Sequence, residues 1–290
     1  MVPLQSATPY WRAVLAACAC ACACASASSA SAPSTLRVAL FVGSGTSANS
    51  AGNYSDALTQ LVAQGVLASL DHLEDADVGA RLTPASFDVV VVPGGSGSGE
   101  FDAIGAAGQA AVRGFVAAGK GYFGTCAGGF LALTATCCDV VVPGYCGGAQ
   151  GCANSSHALA LIDYGAAEPW DRGHGVVTMV YDDAAVAMLK LDPAVFGGGR
   201  NTSILYWQGP IADRSYPTTG FSSGATFTSE INSGHPQFTT GQMVGTTALA
   251  FTTFGPNGGR VLISPPHPEE TIPRLNDVIA AYVLWSGRAI

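Results

Sequence analysis

Cys126 stands in Gly124-Thr125-Cys126-Ala127-Gly128-Gly129, between one short apolar run and another that begins at Phe130. The pattern G-x-C-x-G is the cysteine counterpart of the G-x-S-x-G elbow, which holds a nucleophile on a sharp strand-to-helix turn. A turn of that kind needs neighbours without side chains, and the start of the following helix favours a thiolate. A thiol nucleophile needs a base, and the base needs an acceptor to orient it. Ser264-Pro265-Pro266-His267-Pro268-Glu269 carries both types: His267 to take the Cys126 proton and Glu269 to hold the imidazole. Gly94 and Gly95 end a further apolar run, where bare backbone N–H groups can approach a substrate oxygen. Glu100 follows that loop within reach of the same site, with no role assigned. His174 and His235 read as loop residues.

These groups need strands that end together. Residues 36–42 form a short apolar run ending in Gly43, and residues 87–92 a second one stopped by Pro93-Gly94-Gly95, as expected of buried strands. Helical spacing is clear from about Asp56 to Gly65 and over residues 106–118. Residues 121–124 and 260–264 read as further strands, and 275–284 as a closing helix. Buried strands alternating with amphipathic helices indicate an α/β domain with a parallel sheet. Residues 144–252 are rich in Gly, Ser and Thr, with Tyr181, Tyr206 and Trp207 in short β-like runs. With no linker or repeat visible, they read as an elaboration of one domain spanning 34–290.

Composition narrows the partners. The 290 residues hold 12 Lys+Arg against 20 Asp+Glu, a formal net charge of −8. No basic face for nucleic acid is expected. The 37 glycines have no three-residue period, which excludes collagen. No stretch after residue 40 is apolar for long enough to span a membrane. Before it, Arg12 precedes an Ala/Cys run and the A-x-A pattern Ala25-Ser26-Ala27, which reads as a signal peptide over residues 1–27. An uncleaved anchor or a low-complexity tail is the alternative. Cleavage removes four of the 9 cysteines and implies a secreted or secretory-lumen protein.

Of the cysteines left, Cys137, Cys138, Cys146 and Cys152 are expected to form disulfides in an oxidising compartment, leaving Cys126 over. Cys137 and Cys138 are poorly placed to bond each other, so each is expected to pair with Cys146 or Cys152, in either order. Four thiolates can also close a zinc site, but the spacing lacks paired C-x2-C knuckles. No metal or cofactor is expected. Asn53, Asn154 and Asn201 each begin a glycosylation sequon, in agreement with export.

Val42-Gly43-Ser44-Gly45-Thr46-Ser47, Val92-Pro93-Gly94-Gly95, the Cys126 segment through Phe130, Tyr206-Trp207-Gln208-Gly209-Pro210 and Pro266-His267-Pro268-Glu269 together resemble the class I glutamine amidotransferase-like fold. Within that fold the chain is most similar to the N-terminal amidotransferase-like domain of biotin–protein ligases, in a stand-alone secreted form. The resemblance covers most of the chain from Leu36 on. It implies a flavodoxin-like parallel sheet flanked by helices, with an enlarged Gly/Ser/Thr-rich insertion. It also implies Cys126 as nucleophile, His267 as base, Glu269 as orienter, and Gly95, with Gly94 and Ala127, as oxyanion-hole residues. No ligase domain fits in the chain, so biotinylation is not implied.

The expected activity is cysteine-dependent hydrolysis of an amide, γ-glutamyl or peptide bond in a small molecule or peptide. The alternative is an inactive secreted domain binding carbohydrate or peptide through Tyr206-Trp207 and the glycine-rich loops. A third reading, nucleotide binding, rests on the G-x-G-x-x-A match at Gly43–Ala48. It lacks an early helix and an acid closing a second strand.

Overall fold

The computed structural model describes residues 35–138, 151–168, 172–192, 200–231 and 242–290. The 1–27 leader, Cys146 and His235 lie outside the described residues. The first half contains β1 (Leu36–Phe41), α1 (Ala48–Ala63), β2 (Leu67–Leu73), α2 (Asp75–Arg81), β3 (Val89–Val92), α3 (Gly97–Ala117), β4 (Gly121–Thr125) and α4 (Ala127–Ala132). The second contains β5 (Ala135–Cys138), β6 (Gly151–Asn154), β7 (Gly165–Glu168), β8 (His174–Tyr181), α5 (Asp183–Leu189), β9 (Asn201–Trp207), β10 (Ser222–Phe227), β11 (Thr247–Phe254), β12 (Gly259–Ser264) and α6 (Asn276–Ser286).

Nine strands form one sheet in the order β2-β1-β3-β4-β12-β11-β10-β8-β9. Its first half, β2 to β12, is parallel. Val89 to Val92 lie fully in the interior, as an uninterrupted valine run between two helical layers should. From β12 onward the pairing turns antiparallel. The cause is local. Residues 255–258 make a tight turn between β11 and β12, and a tight turn joins only antiparallel strands. The sheet is therefore mixed. The enlarged middle extends it and also forms a second sheet, β6-β5-β7.

Four elements differ from the sequence expectation. α1 starts at Ala48, well before Asp56. Its first buried positions are Ser50 and Ala51, too small to register as an apolar stripe, and Ser47 Oγ caps it by accepting from the Ser50 N–H at 3.5 Å. β2 and α2 were not expected at all; β2 pairs only with β1, and its sequence LASLDHL is half polar. α3 begins at Gly97 and is broken at Gly105, where φ is 57°, so only its second half shows helical spacing.

The early helix removes one objection to nucleotide binding, but the loop before it is already engaged. The Ser44 N–H donates to Asp75 Oδ1 at 2.7 Å, the Thr46 N–H to the Gly43 carbonyl at 3.2 Å, and the Ser47 N–H to the Gly94 carbonyl at 2.7 Å. Three N–H groups of this loop are thus bound within the protein and withheld from a phosphate.

Asp88, just before β3, ties the base of the sheet together. It accepts from Arg37 Nε at 3.0 Å and Lys120 Nζ at 2.7 Å. Burial alone would raise its pKa, but the Arg37 and Lys120 hydrogen bonds outweigh that and hold it well below the ordinary carboxylate range. A depressed carboxylate stabilises the fold above its unfolded value of about 3.9 and loses that contribution as pH falls through the folded value. The melting temperature is thus expected to drop below about pH 4. Asp88→Asn should melt lower at neutral pH and respond less to acid, as followed by circular dichroism.

Candidate functional site

β4 and β12 are adjacent parallel strands, and Thr125 pairs with Ser264 at their C-terminal ends. Cys126 follows β4 and its N–H donates to the Ser264 carbonyl at 3.1 Å. Its backbone has φ 50° and ψ −105°, a conformation rare outside glycine, and α4 starts at the next residue. Close packing explains the adjoining glycines: a Cβ on Gly128 would come within 2.3 Å of the Val92 carbonyl oxygen. The strained elbow expected from the motif is present. Cys126 is buried and is the free cysteine among the described residues.

His267 leaves β12 three residues past its end, and its N–H donates to the Leu205 carbonyl on β9 at 2.7 Å. Its ring and the Cys126 side chain line the same cleft and approach the same Trp207 carbonyl oxygen. On the other side, His267 Nδ1 and Glu269 Oε1 are 2.8 Å apart, both side chains almost wholly buried. Cys126, His267 and Glu269 thus come together in space. Burial acts to lower the His267 pKa, but the charges of Glu269 and Cys126 and the hydrogen bonds to them raise it well above 6.5. His267 Nε2 lies 3.4 Å from the Trp207 carbonyl oxygen. The Cys126 thiol faces that same oxygen at 3.2 Å.

A fourth residue, absent from the sequence reading, completes the chain of contacts. Ser50, in the first turn of α1, donates to Glu269 Oε1 at 2.6 Å. Its Oγ in turn accepts the Gly94 N–H at 2.8 Å. This corrects one expectation: the Gly94 N–H is engaged and cannot serve an oxyanion. Gly94 has a different use. A Cβ there would lie 2.6 Å from His267 Cε1, so the absent side chain is what lets the imidazole sit against the strand end. Gly94→Ala should push the ring off Glu269 and Cys126. An ångström of misplacement costs about 100-fold in rate, so turnover should fall by that order while the melting curve moves little.

Gly95 and Ala127 remain as donors. Gly95 bridges Thr46 as a pair whose flanking residues, rather than the pair itself, exchange the hydrogen bonds, which turns the Gly95 N–H away from the loop. The Ala127 N–H opens α4 and has no partner within that helix. Both residues line a cleft of about 630 Å³ together with Cys126 and His267. Its other walls include Trp207, Glu270 and, from the small sheet and its flanks, Asn154, His157 and Glu168. Glu100 is fully buried near Cys126, with neither carboxyl oxygen hydrogen-bonded. Burial first, and the charge of Cys126 second, raise its pKa well above 4.5. His174 stacks on Trp207 with ring centroids 4.9 Å apart.

The cysteine expectation is met at one pair. Cys137 and Cys152 face each other across β5 and β6 and are joined. Cys138 is also disulfide-bonded, its partner lying outside the described residues. Of the sequon residues, Asn154 and Asn201 are exposed, whereas Asn53 Oδ1 accepts from Arg274 at 2.7 Å. His267, Glu269 and Glu270 place ligand-type atoms within 4.8 Å of one another. The His267–Glu269 hydrogen bond accounts for that closeness. No helix among the described residues is long and apolar enough to cross a membrane.

The chain, with a part-parallel sheet flanked by helices, a strained cysteine turn at the end of a central strand and a histidine just past the end of the next, has the class I glutamine amidotransferase-like fold. Solved structures agree on the architecture. One titled as a glutamine amidotransferase is 16% identical, with 87% of this chain and 98% of that chain aligned at a TM-score of 0.50. PurLQS from Thermotoga maritima is 13% identical over 87% of this chain and 99% of that chain, also at 0.50. A thua-like protein from Bacteroides uniformis is 10% identical over 90% of this chain and 95% of that chain, at 0.52. Residues 36–141 match the family described as "Biotin-protein ligase, N terminal". The matched segment includes Cys126; His267 and Glu269 lie beyond it. No curated protein matches the sequence.

Proposed function

We propose that this chain is an exported cysteine-dependent amide hydrolase acting on an amide, γ-glutamyl or peptide bond. The observation that carries the reading is the alignment of Ser50, Glu269, His267 and Cys126, in which a buried carboxylate holds an imidazole beside a thiol on a strained turn. Cys126 Sγ attacks the substrate carbonyl carbon as its proton passes to His267 Nε2. The Gly95 and Ala127 N–H groups face the oxygen as it gains charge. The C–N bond then breaks, His267 Nε2 gives its proton to the leaving nitrogen, and a thioester remains on Cys126. Water next loses a proton to Nε2 and attacks the thioester carbon, and the C–S bond breaks. The net reaction is amide plus water to acid plus amine.

Incubation with γ-glutamyl and peptidyl p-nitroanilides, followed by mass analysis of the Cys126 peptide, tests the chemistry. An acyl mass on Cys126 that hydroxylamine removes is the expected result. Product release without any Cys126 adduct or Cys126 dependence counts against the assignment. Export is supported by the 1–27 leader pattern, the sequons and the Cys137–Cys152 bond. A mature N-terminus following Ala27, read by terminal sequencing of secreted protein, is the expected outcome.

The exposed Trp207 favours a second reading. Its indole is 46% exposed at the cleft and stacks on His174, the kind of platform a binding domain offers a sugar or an apolar peptide side chain. Tight ligand binding that survives Cys126→Ala, with no turnover in the wild type, supports that alternative.

A further inference from the structure

The walls of the cleft carry the carboxylates of Glu168 and Glu270, the imidazoles of His157 and His267, and no Lys or Arg. Glu270, directly after the residue that orients His267, has its carboxylate 3.9 Å from His267 Nδ1 and lines the cleft. Glu168, at the end of β7, lines it from a separate element. Trp207 adds an exposed aromatic face next to Cys126. Between residues 35 and 290, the segments outside the described residues contain no Lys or Arg, so they add no such side chain. The ammonium and guanidinium groups that bind a free carboxylate or phosphate are missing. Carboxylates beside an open indole are what a cation requires.

The geometry points to a substrate class: amides that carry an ammonium or guanidinium group close to the scissile carbonyl, in preference to those bearing a free carboxylate there. Glu270 and Glu168 are the specificity-determining residues and Trp207 the aromatic platform. This rests on the hydrolase reading for the word substrate, but the charge preference of the cleft is a separate property. Free glutamine, with its α-carboxylate, is accordingly a poor substrate.

Thiol-reactive probes separate the two. Methanethiosulfonates bearing an ethylammonium, a methyl or an ethylsulfonate group are applied to the full chain. Modification of Cys126 is followed by mass spectrometry and normalised to each reagent's rate with a free small thiol. The expected order is cation, neutral, anion, with at least a tenfold span at low salt that shrinks as salt rises. Glu168→Gln, whose residue is on a different element from His267, should narrow the span severalfold. The double variant with Glu270→Gln should bring it near unity. A sulfonate reagent as fast as the ammonium one, or a span unchanged in Glu168→Gln with an unaltered melting curve, overturns the inference. Lysyl, alanyl and glutamyl amides of one fluorogenic amine are then compared. Turnover that ignores the charge or favours glutamyl sinks the inference and leaves the hydrolase reading standing. A cation-selective Cys126 with no amide turned over does the reverse.

Discussion

Cys126→Ala should reduce amide hydrolysis by about 10⁴-fold or more, which is the scale on which nucleophile removal acts in enzymes whose catalytic groups work as a unit. Alanine fits because Cys126 is already buried in a small space between β4 and α4. The substitution removes the Cys126 sulfur and keeps the elbow. Alanine tolerates φ 50° no better than cysteine does, so the melting temperature should change little. The assay is steady-state hydrolysis beside a thermal melt. Wild-type rates from a folded Cys126→Ala protein would refute the nucleophile assignment.

His267→Ala comes second, with an expected loss of 10²- to 10⁴-fold. The mutant loses both the proton donor to the leaving amine and the acceptor for water. Its pH profile is more informative than its size. In the wild type burial acts to lower the His267 pKa, but the charges of Glu269 and Cys126 outweigh that effect and raise the pKa well above 6.5. A histidine with a raised folded pKa keeps its proton below that value and loses it as pH rises through it. The alkaline limb of kcat/KM therefore belongs well above pH 6.5. Glu269→Gln removes one of the raising charges, so its limb should shift to lower pH. A limb that stays in place in Glu269→Gln would show that another group sets it.

Much of this site could be read along the chain because its parts are contiguous. The G-x-C-x-G turn and the H-P-E segment each put glycines or prolines beside a reactive residue, and the preceding apolar runs mark the strands. Ser50 could not be read this way. Its partner Glu269 is far along the chain, and its helix begins with Ala, Asn, Ser and Gly, which show no apolar period. Gly94 looked like an oxyanion donor because nothing in its neighbourhood reveals that α1 brings a hydroxyl onto its N–H. Most of the parallel half of the sheet, β1, β3, β4 and β12, was visible in short apolar runs, whereas the half-polar β2 was not. The antiparallel half was not, since its strands come from a Gly/Ser/Thr-rich stretch whose pairing is set by turns.

Asn154 closes β6 on the wall of the cleft and begins a sequon. A sugar attached there would stand in the space that a substrate has to enter. Two fates of this protein would then exclude each other: a copy decorated at Asn154 as it passed through a secretory lumen would be sealed, and only an undecorated copy, or one trimmed by a glycosidase, would be open. Occupancy at one asparagine would act as a count of working molecules.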